Sequence, residues 1–190
     1  MLVQGSRFIQ LPVMSLQTGS KIGQTLRPII EPRTLTIEAF EIESSLRKEK
    51  PLYLLVDDIR EYGRMGFIVD SIDEIVNSSD VIRLEEMLED NFSLDNLTVE
   101  DELGKKMGKV NGYTVEPSSF VNQRLQVRRG LLQGINDTGF LVNRSQVVEI
   151  THKKIVVKST IKKIRQAVEV VPLEYVNPFR SAPQPEQPQS

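Results

Sequence analysis

Much of this chain occurs twice, and no other feature constrains the fold as strongly. Gly19-Ser20-Lys21-Ile22-Gly23 returns as Gly104-Lys105-Lys106-Met107-Gly108, and Ile30-Glu31-Pro32 returns as Val115-Glu116-Pro117. The spacing is 85 residues from Pro12/Leu97 to Ile42/Val127. A further segment, Gly66-Phe67-Ile68-Val69, recurs as Gly139-Phe140-Leu141-Val142 at a spacing of 73, which implies about 12 extra residues in the first copy around Leu46 to Leu55. A unit of this size buries only about 60% of its unfolded surface. The sequence has no cysteine, so no disulfide or thiolate site can compensate. Each unit must therefore close efficiently on itself, or the two must lean on each other.

Local signals read as strands and turns. Gly19 and Gly104 fall where a tight hairpin needs positive φ, and Gly23 and Gly108 where a strand bends or another backbone comes close. Ile29-Ile30 and Thr114-Val115 read as strand, and the following Glu-Pro pairs end the pairing. In Leu35-Thr36-Ile37-Glu38-Ala39-Phe40-Glu41-Ile42 the apolar alternation slips phase, and it slips again where Phe120 is out of step with Leu125 and Val127. A slip at equivalent positions predicts a repeated β-bulge or sharp corner. Leu52 to Val56 reads as a strong strand. Ser71 with Glu74, and Asn143 with Gln146, have capping-box spacing for one helical turn. Val81-Ile82-Arg83-Leu84 and Lys154-Ile155-Val156-Val157 read as closing strands.

Helical periodicity follows each copy. Leu84, Met87 and Leu88 share a face amid Glu85, Glu86, Glu89 and Asp90. Ile161, Ile164, Ala167, Val168 and Val171 form a second stripe flanked by Lys162, Lys163 and Arg165 and ended by Pro172. The expected organisation is a first unit over 1–90, a second over 91–158, an amphipathic helix over 159–172, and a disordered Pro/Gln-rich tail over 177–190. Charge is uneven: residues 1–95 hold 10 basic and 17 acidic side chains, residues 96–190 hold 14 and 9, and the net is −2. Such a dipolar chain points to contact between its own halves rather than to a uniformly basic nucleic-acid binder. No apolar run is long enough for a signal peptide or a membrane span, so the expected setting is cytoplasmic, and Asn-X-Ser/Thr triplets at Asn91, Asn96, Asn136 and Asn143 read as chance matches.

The order of apolar strand, Gly-x-x-x-Gly, apolar strand, Glu-Pro break, Gly-Phe-Ile-Val-Asp-Ser and closing strand resembles the PRC barrel. This small β-barrel is named after the H subunit of the photosynthetic reaction centre, and it also forms the C-terminal domain of a bacterial ribosome maturation factor. The likeness spans Gln10 to Leu88 and Leu97 to Lys158. It implies a mainly β protein of two tandem small antiparallel β-barrels with short helices after each. It also implies an adaptor role toward protein partners, ribosomal protein and membrane-complex subunits among them, with no shared catalytic residues.

The residues themselves offer little chemistry. His152 is the only histidine, so a Ser-His-Asp arrangement rests on one candidate. Asp57, Asp58 and Glu61, and Asp70, Asp73 and Glu74, could offer oxygen ligands to a hard cation, but loops and caps explain them more simply. Gly104 to Lys109 is one residue short of a phosphate loop, and Val110 stands where a hydroxyl residue would hold magnesium. Basic residues gather at Arg124, Arg128 and Arg129, and again at Lys153, Lys154, Lys158, Lys162, Lys163 and Arg165, with few aromatics interleaved to stack bases. No catalytic, cofactor-binding or metal-binding residue is assigned. The expected function is a non-enzymatic adaptor or scaffold binding protein partners, the alternative is a ribosome- or RNA-associated assembly or maturation factor, and a small hydrolase or metal enzyme using Asp57, Asp58 or His152 ranks third.

Overall fold

In the computed structural model residues 1–129 and 139–159 are described, and they form one compact, mainly β unit. The expected helix beyond Ser159, with Lys162, Lys163 and Arg165, and the expected tail over 177–190 lie outside the described residues. The strands are β1 (Val3–Gln4), β2 (Pro12–Ser15), β3 (Lys21–Glu31), β4 (Thr36–Glu43), β5 (Leu52–Leu55), β6 (Glu61–Gly63), β7 (Gly66–Val69) and β8 (Ile75–Asn77). After helix α1 (Ile82–Asp90) come β9 (Thr98–Asp101), β10 (Lys106–Glu116), β11 (Val121–Arg128), β12 (Phe140–Asn143), β13 (Val147–Ile150) and β14 (Lys154–Val157).

All of these strands belong to one sheet, whose main path runs β13-β14-β9-β10-β11-β4-β3-β2-β7-β6. The path passes from the second repeat into the first through β11 and β4, and among the described residues its ends, β13 and β6, do not meet. The expectation of two closed antiparallel barrels is thus corrected to an open, continuous sheet. The sheet is also mixed, because β2 pairs parallel with β7 and β9 pairs parallel with β14.

Strand pairing redraws the repeat. Val13 pairs with Phe67 and Val99 with Ile155, so β7 matches β14. Ile42 pairs with Leu52 and Val127 with Phe140, so β5 matches β12. Gly66–Val69 is therefore not the counterpart of Gly139–Val142, and the inferred insertion near Leu46 to Leu55 does not exist. The physical reason is that the two glycines do different work. A Cβ on Gly66 would lie 2.0 Å from the Pro12 carbonyl oxygen, whereas one on Gly139 would lie 2.7 Å from that of Val127. A four-residue Gly-aromatic-aliphatic match carries too little information to override the hydrogen-bond register.

The expected phase slips are bulges at equivalent positions. Ile29 and Ile30 face Ala39 and Ile37, leaving Glu38 extra, while Thr114 and Val115 face Arg124 and Asn122, leaving Gln123 extra. Two further bulges also recur, one between Thr25/Arg27 and Val110/Gly112 and one at Ile22 and Met107. Each adds local twist and bend. Left-handed backbone is repeated too, at Gln10 and Asn96 and at Leu35 and Phe120, besides the expected Gly19 and Gly104.

The two halves meet about a pseudo-twofold axis. Thr36 of β4 pairs with Val121 of β11, its own equivalent. On either side Ile37 N–H donates to Phe120 O at 3.0 Å, and Asn122 N–H donates to Leu35 O at 2.9 Å. Phe120 reaches into the first half and joins Phe8, Phe40, Tyr62 and Phe67 in an aromatic cluster with centroids 4.9–6.0 Å apart. Leu35, its counterpart, is buried beside Val147 and Ile150 of the second half. One apolar core consequently runs through both repeats. The N-terminal segment adds a staple: β1 pairs with β10 while Phe8 is buried in the first half. Gly5 is required there, since a Cβ would sit 2.2 Å from the Tyr113 ring.

Val81 to Leu84 was expected to be a strand. Instead, Ile82 to Asp90 is helical: Asn77 and Asp80 form a capping box one turn upstream, Glu, Met and Leu favour helix, and Asn91 in left-handed conformation stops it. Leu84 packs with Ile29, Ala39 and Tyr53 on the outer face of the first half.

Candidate interaction surface

The β3–β4 turn and the β10–β11 turn each border a segment of the other half, creating two pseudo-equivalent grooves. The first, about 580 Å³, lies between Pro117–Phe120 and the segment from Val56 to Tyr62. The second, about 670 Å³, lies between Arg33–Leu35 and the segment from Arg144 to Ile150. Both are shallow and polar at the rim, and their charges differ. Asp57 and Glu61 line the first, whose Arg60 is taken up by Asp70 through two hydrogen bonds of 2.7 and 2.5 Å. Arg33, Arg144 and Glu149 line the second, where Arg33 is paired with Glu31.

The acidic residues named from sequence are gathered near the first groove. Asp70 is held below the usual carboxylate range by the hydrogen bonds from Arg60. Asp58 is pushed up by burial and by the neighbouring Asp57, and Glu74 by burial and by Asp58, Asp70 and Asp73. Ser71 caps the turn that carries Asp73, its hydroxyl accepting from the Asp73 N–H, and Arg47 lies 3.5 Å from the Asp73 carboxylate. Among the described residues no three His, Asp or Glu side chains converge as a metal ion would need.

His152 sits in the turn before β14, where Nε2 lies 2.9 Å from Asp90 Oδ1 and the ring stands edge-on to Phe92. It ties the end of α1 to the second half, and among the described residues no serine hydroxyl meets it. Gly104 to Lys109 forms the β9–β10 hairpin: Asp101, itself buried, accepts from the N–H groups of Leu103 and Lys105 through its carboxylate. Ser15 holds the first hairpin in the same place by accepting from Thr18 N–H. This pair of buried polar turn-holders could not be found from sequence, because a one-residue difference in turn length hides their equivalence.

The basic residues separate. Lys154 is paired with Glu100 at 2.9 Å, an ion pair that raises its pKa through the hydrogen bond, and Arg129 lies 5.3 Å over the Phe140 ring. Arg124 and Arg128 are exposed on the outer face of β11, with Lys109 of β10 directly opposite Arg128. None of these three has an ion-pair partner among the described residues. Their first-half equivalents are Ala39, Glu43 and Gln24, and the latter two hydrogen-bond each other at 2.9 Å. Outside Leu141 nothing apolar is exposed on β12, and among the described residues β12 pairs only with β11. Its equivalent β5 is covered by β8 on the far edge.

No protein-family model matches this sequence, and no curated protein matches it. No helix among the described residues is long and apolar enough to cross a membrane.

Proposed function

We propose that the chain is a non-enzymatic cytoplasmic adaptor, built from two repeats related to the PRC barrel but opened into one continuous sheet, and binding protein partners through their surfaces. The observation that carries this reading is the interlock about the pseudo-twofold axis. Phe120 and Leu35 each sit among the other repeat's side chains, and strand-to-strand hydrogen bonds join equivalent positions. Two units locked in this way hold two similar grooves and two outer faces in a fixed relation while giving them different charge. That property suits a scaffold, which needs rigid, distinguishable docking sites rather than a single reactive pocket.

Affinity capture of the full chain from its native cell tests the reading. A protein recovered in stoichiometric amount after nuclease treatment supports it. Recovery of nothing but abundant background proteins overturns it.

The second reading is a ribosome- or RNA-associated assembly factor, favoured by the unpaired Lys109, Arg124 and Arg128. It requires co-sedimentation with ribosomal particles that weakens steeply as salt rises, because phosphate contacts release counterions. The cation pair Lys109 and Arg128, directly opposite one another on adjacent strands, suits either kind of anionic partner. Among the described residues the one aromatic on β12, Phe140, lies under Arg129 rather than standing free to stack a base, which favours protein.

A further inference from the structure

A cavity of about 420 Å³ lies where the N-terminal segment, β3 and β10 meet the residues between α1 and β9. Equivalent residues line it from both halves, Ile9 with Asp95, Arg27 with Gly112 and Pro28 with Tyr113, so it straddles the pseudo-twofold axis. Both members of each pair are among the described residues. The pairs differ in chemistry, which makes the two sides of the cavity unlike.

Two polar groups in this wall are unmatched. Tyr113 is 9% exposed, and its ring passes so close to Gly5 that a Cβ there would lie 2.4 Å from Cζ, the carbon that bears the hydroxyl. Among the described residues neither that hydroxyl nor the Asp95 carboxylate has a hydrogen-bond or ion-pair partner. Burial, and then the nearby Asp95 carboxylate, push the Tyr113 phenol above its ordinary value, so it stays a hydroxyl. Charge narrows what fits. Arg27 and Asp95 are the charged residues of the wall, and Arg27 is already neutralised by its ion pair with Glu41. The negative charge of Asp95 is left uncompensated beside apolar surface from Ile9, Ile30 and Phe92.

We propose that this axial cavity binds an alkyl primary ammonium group, either a free amine or the lysine side chain of a protein. The Asp95 carboxylate and the Tyr113 hydroxyl oxygen each accept one of its N–H groups, and the alkyl stem packs on Ile9, Ile30 and Phe92. Hydrogen bonds from a charged donor are about twice as strong as neutral ones, so an alcohol of the same shape is a poor substitute. The inference goes beyond the adaptor reading and stands without it.

The test titrates the full chain, isotope-labelled for amide NMR, at neutral pH with n-pentylamine and, in parallel, with lysine blocked as amides at both its α-amino and carboxyl groups. Saturable shifts are expected at the amides of Ser6, Gly112 and Tyr113. The uncharged analogues, n-pentanol and the blocked lysine acetylated on its side chain, should bind about tenfold more weakly or worse. Asp95→Asn and Tyr113→Phe should each weaken amine binding, by about tenfold and about fivefold. Asp95 is exposed and Tyr113→Phe keeps the ring against Gly5, so both variants should retain the native far-UV spectrum and cooperative unfolding. Tighter binding of pentylamine identifies a free amine as the ligand, and equal or tighter binding of the blocked lysine identifies a protein side chain. No saturable shift with either amine, equal binding of pentanol, shifts confined to residues outside the cavity, or unaltered binding in both variants would each overturn the proposal. Partner capture is a separate measurement, so failure here leaves the adaptor reading intact.

Discussion

The two halves share a backbone down to its irregular details but fill it with different chemistry. Equivalent bulges, equivalent left-handed residues and equivalent strand pairings recur in each. Inside, the first half holds Phe8, Phe40 and Phe67 where the second has Leu94, Leu125 and Ile155. Outside, helix α1 buries Leu84 on Ile29, Ala39 and Tyr53, whereas the second half sets Thr114, Arg124 and Leu141 at the same places. The comparison teaches that the backbone irregularities belong to the fold, since both copies keep them under different side chains. The outer faces are where the copies differ most in the residues they carry.

The largest expected effect comes from breaking the interlock. Phe120→Ala removes a nearly buried ring from the aromatic cluster of the opposite half and should cost about 3–5 kcal/mol, measured by urea denaturation. A loss confined to the second half's amides in hydrogen exchange would contradict the crossed packing. The outer faces come next. Leu84→Ala should cost about 2–3 kcal/mol, whereas Leu141→Ala should stay within about 0.5 kcal/mol. Equal losses at the two positions would show that the second face is covered as well.

At the axis itself, Asn122 replaces the equivalent Ile37. Its Nδ2 donates to Leu35 O at 2.9 Å, but Oδ1 is buried without a partner. Asn122→Val keeps the backbone bond to Leu35 O and removes the unmatched acceptor, so thermal unfolding should report about 1 kcal/mol of added stability. A destabilised variant would mean that the amide is satisfied in solution. Smaller again is the cross-strand pair Lys109–Arg128. Converting it to the first-half pair with Lys109→Gln and Arg128→Glu should add about 0.2–1 kcal/mol, shrinking as salt rises.

The smallest effect is electrostatic and depends on pH. Because Arg60 lowers the Asp70 pKa, the contribution of this pair is present above the ordinary aspartate value near ~4 and is lost as pH falls through the lowered value. Asp70→Asn should therefore lower Tm slightly at neutral pH, with the difference vanishing in acid below the lowered value. Asp58 and Glu74 work in the opposite sense. Their pKa values are raised, so whatever stability they add is present in acid and lost as pH rises through them. A Tm difference for Asp70→Asn that grew in acid would reverse the assignment.

Several features were legible in the sequence because they are local. Positive φ at Gly19 and Gly104, the ends of β3 and β10 at Glu31 and Glu116, and the bulges behind the phase slips all follow from residue type and alternation. The turn holding His152 and the hairpin at Gly104 to Lys109 were equally plain. What escaped was non-local. The true partners of β5 and β7 depend on hydrogen-bond register, and the helix at Ile82 competed with a strand reading of the same short apolar run.

By itself the sequence determined that this chain is a duplicated, turn-rich β protein, because periodicity, glycine placement and bulge-forming phase slips act over a few residues. The tertiary structure alone decided that the copies merge into one open sheet about a pseudo-twofold axis, with Leu35 and Phe120 each buried against the other repeat. That outcome turns on which strand edges find each other and which cavity a side chain fills, and both are set by contacts between residues far apart in the chain.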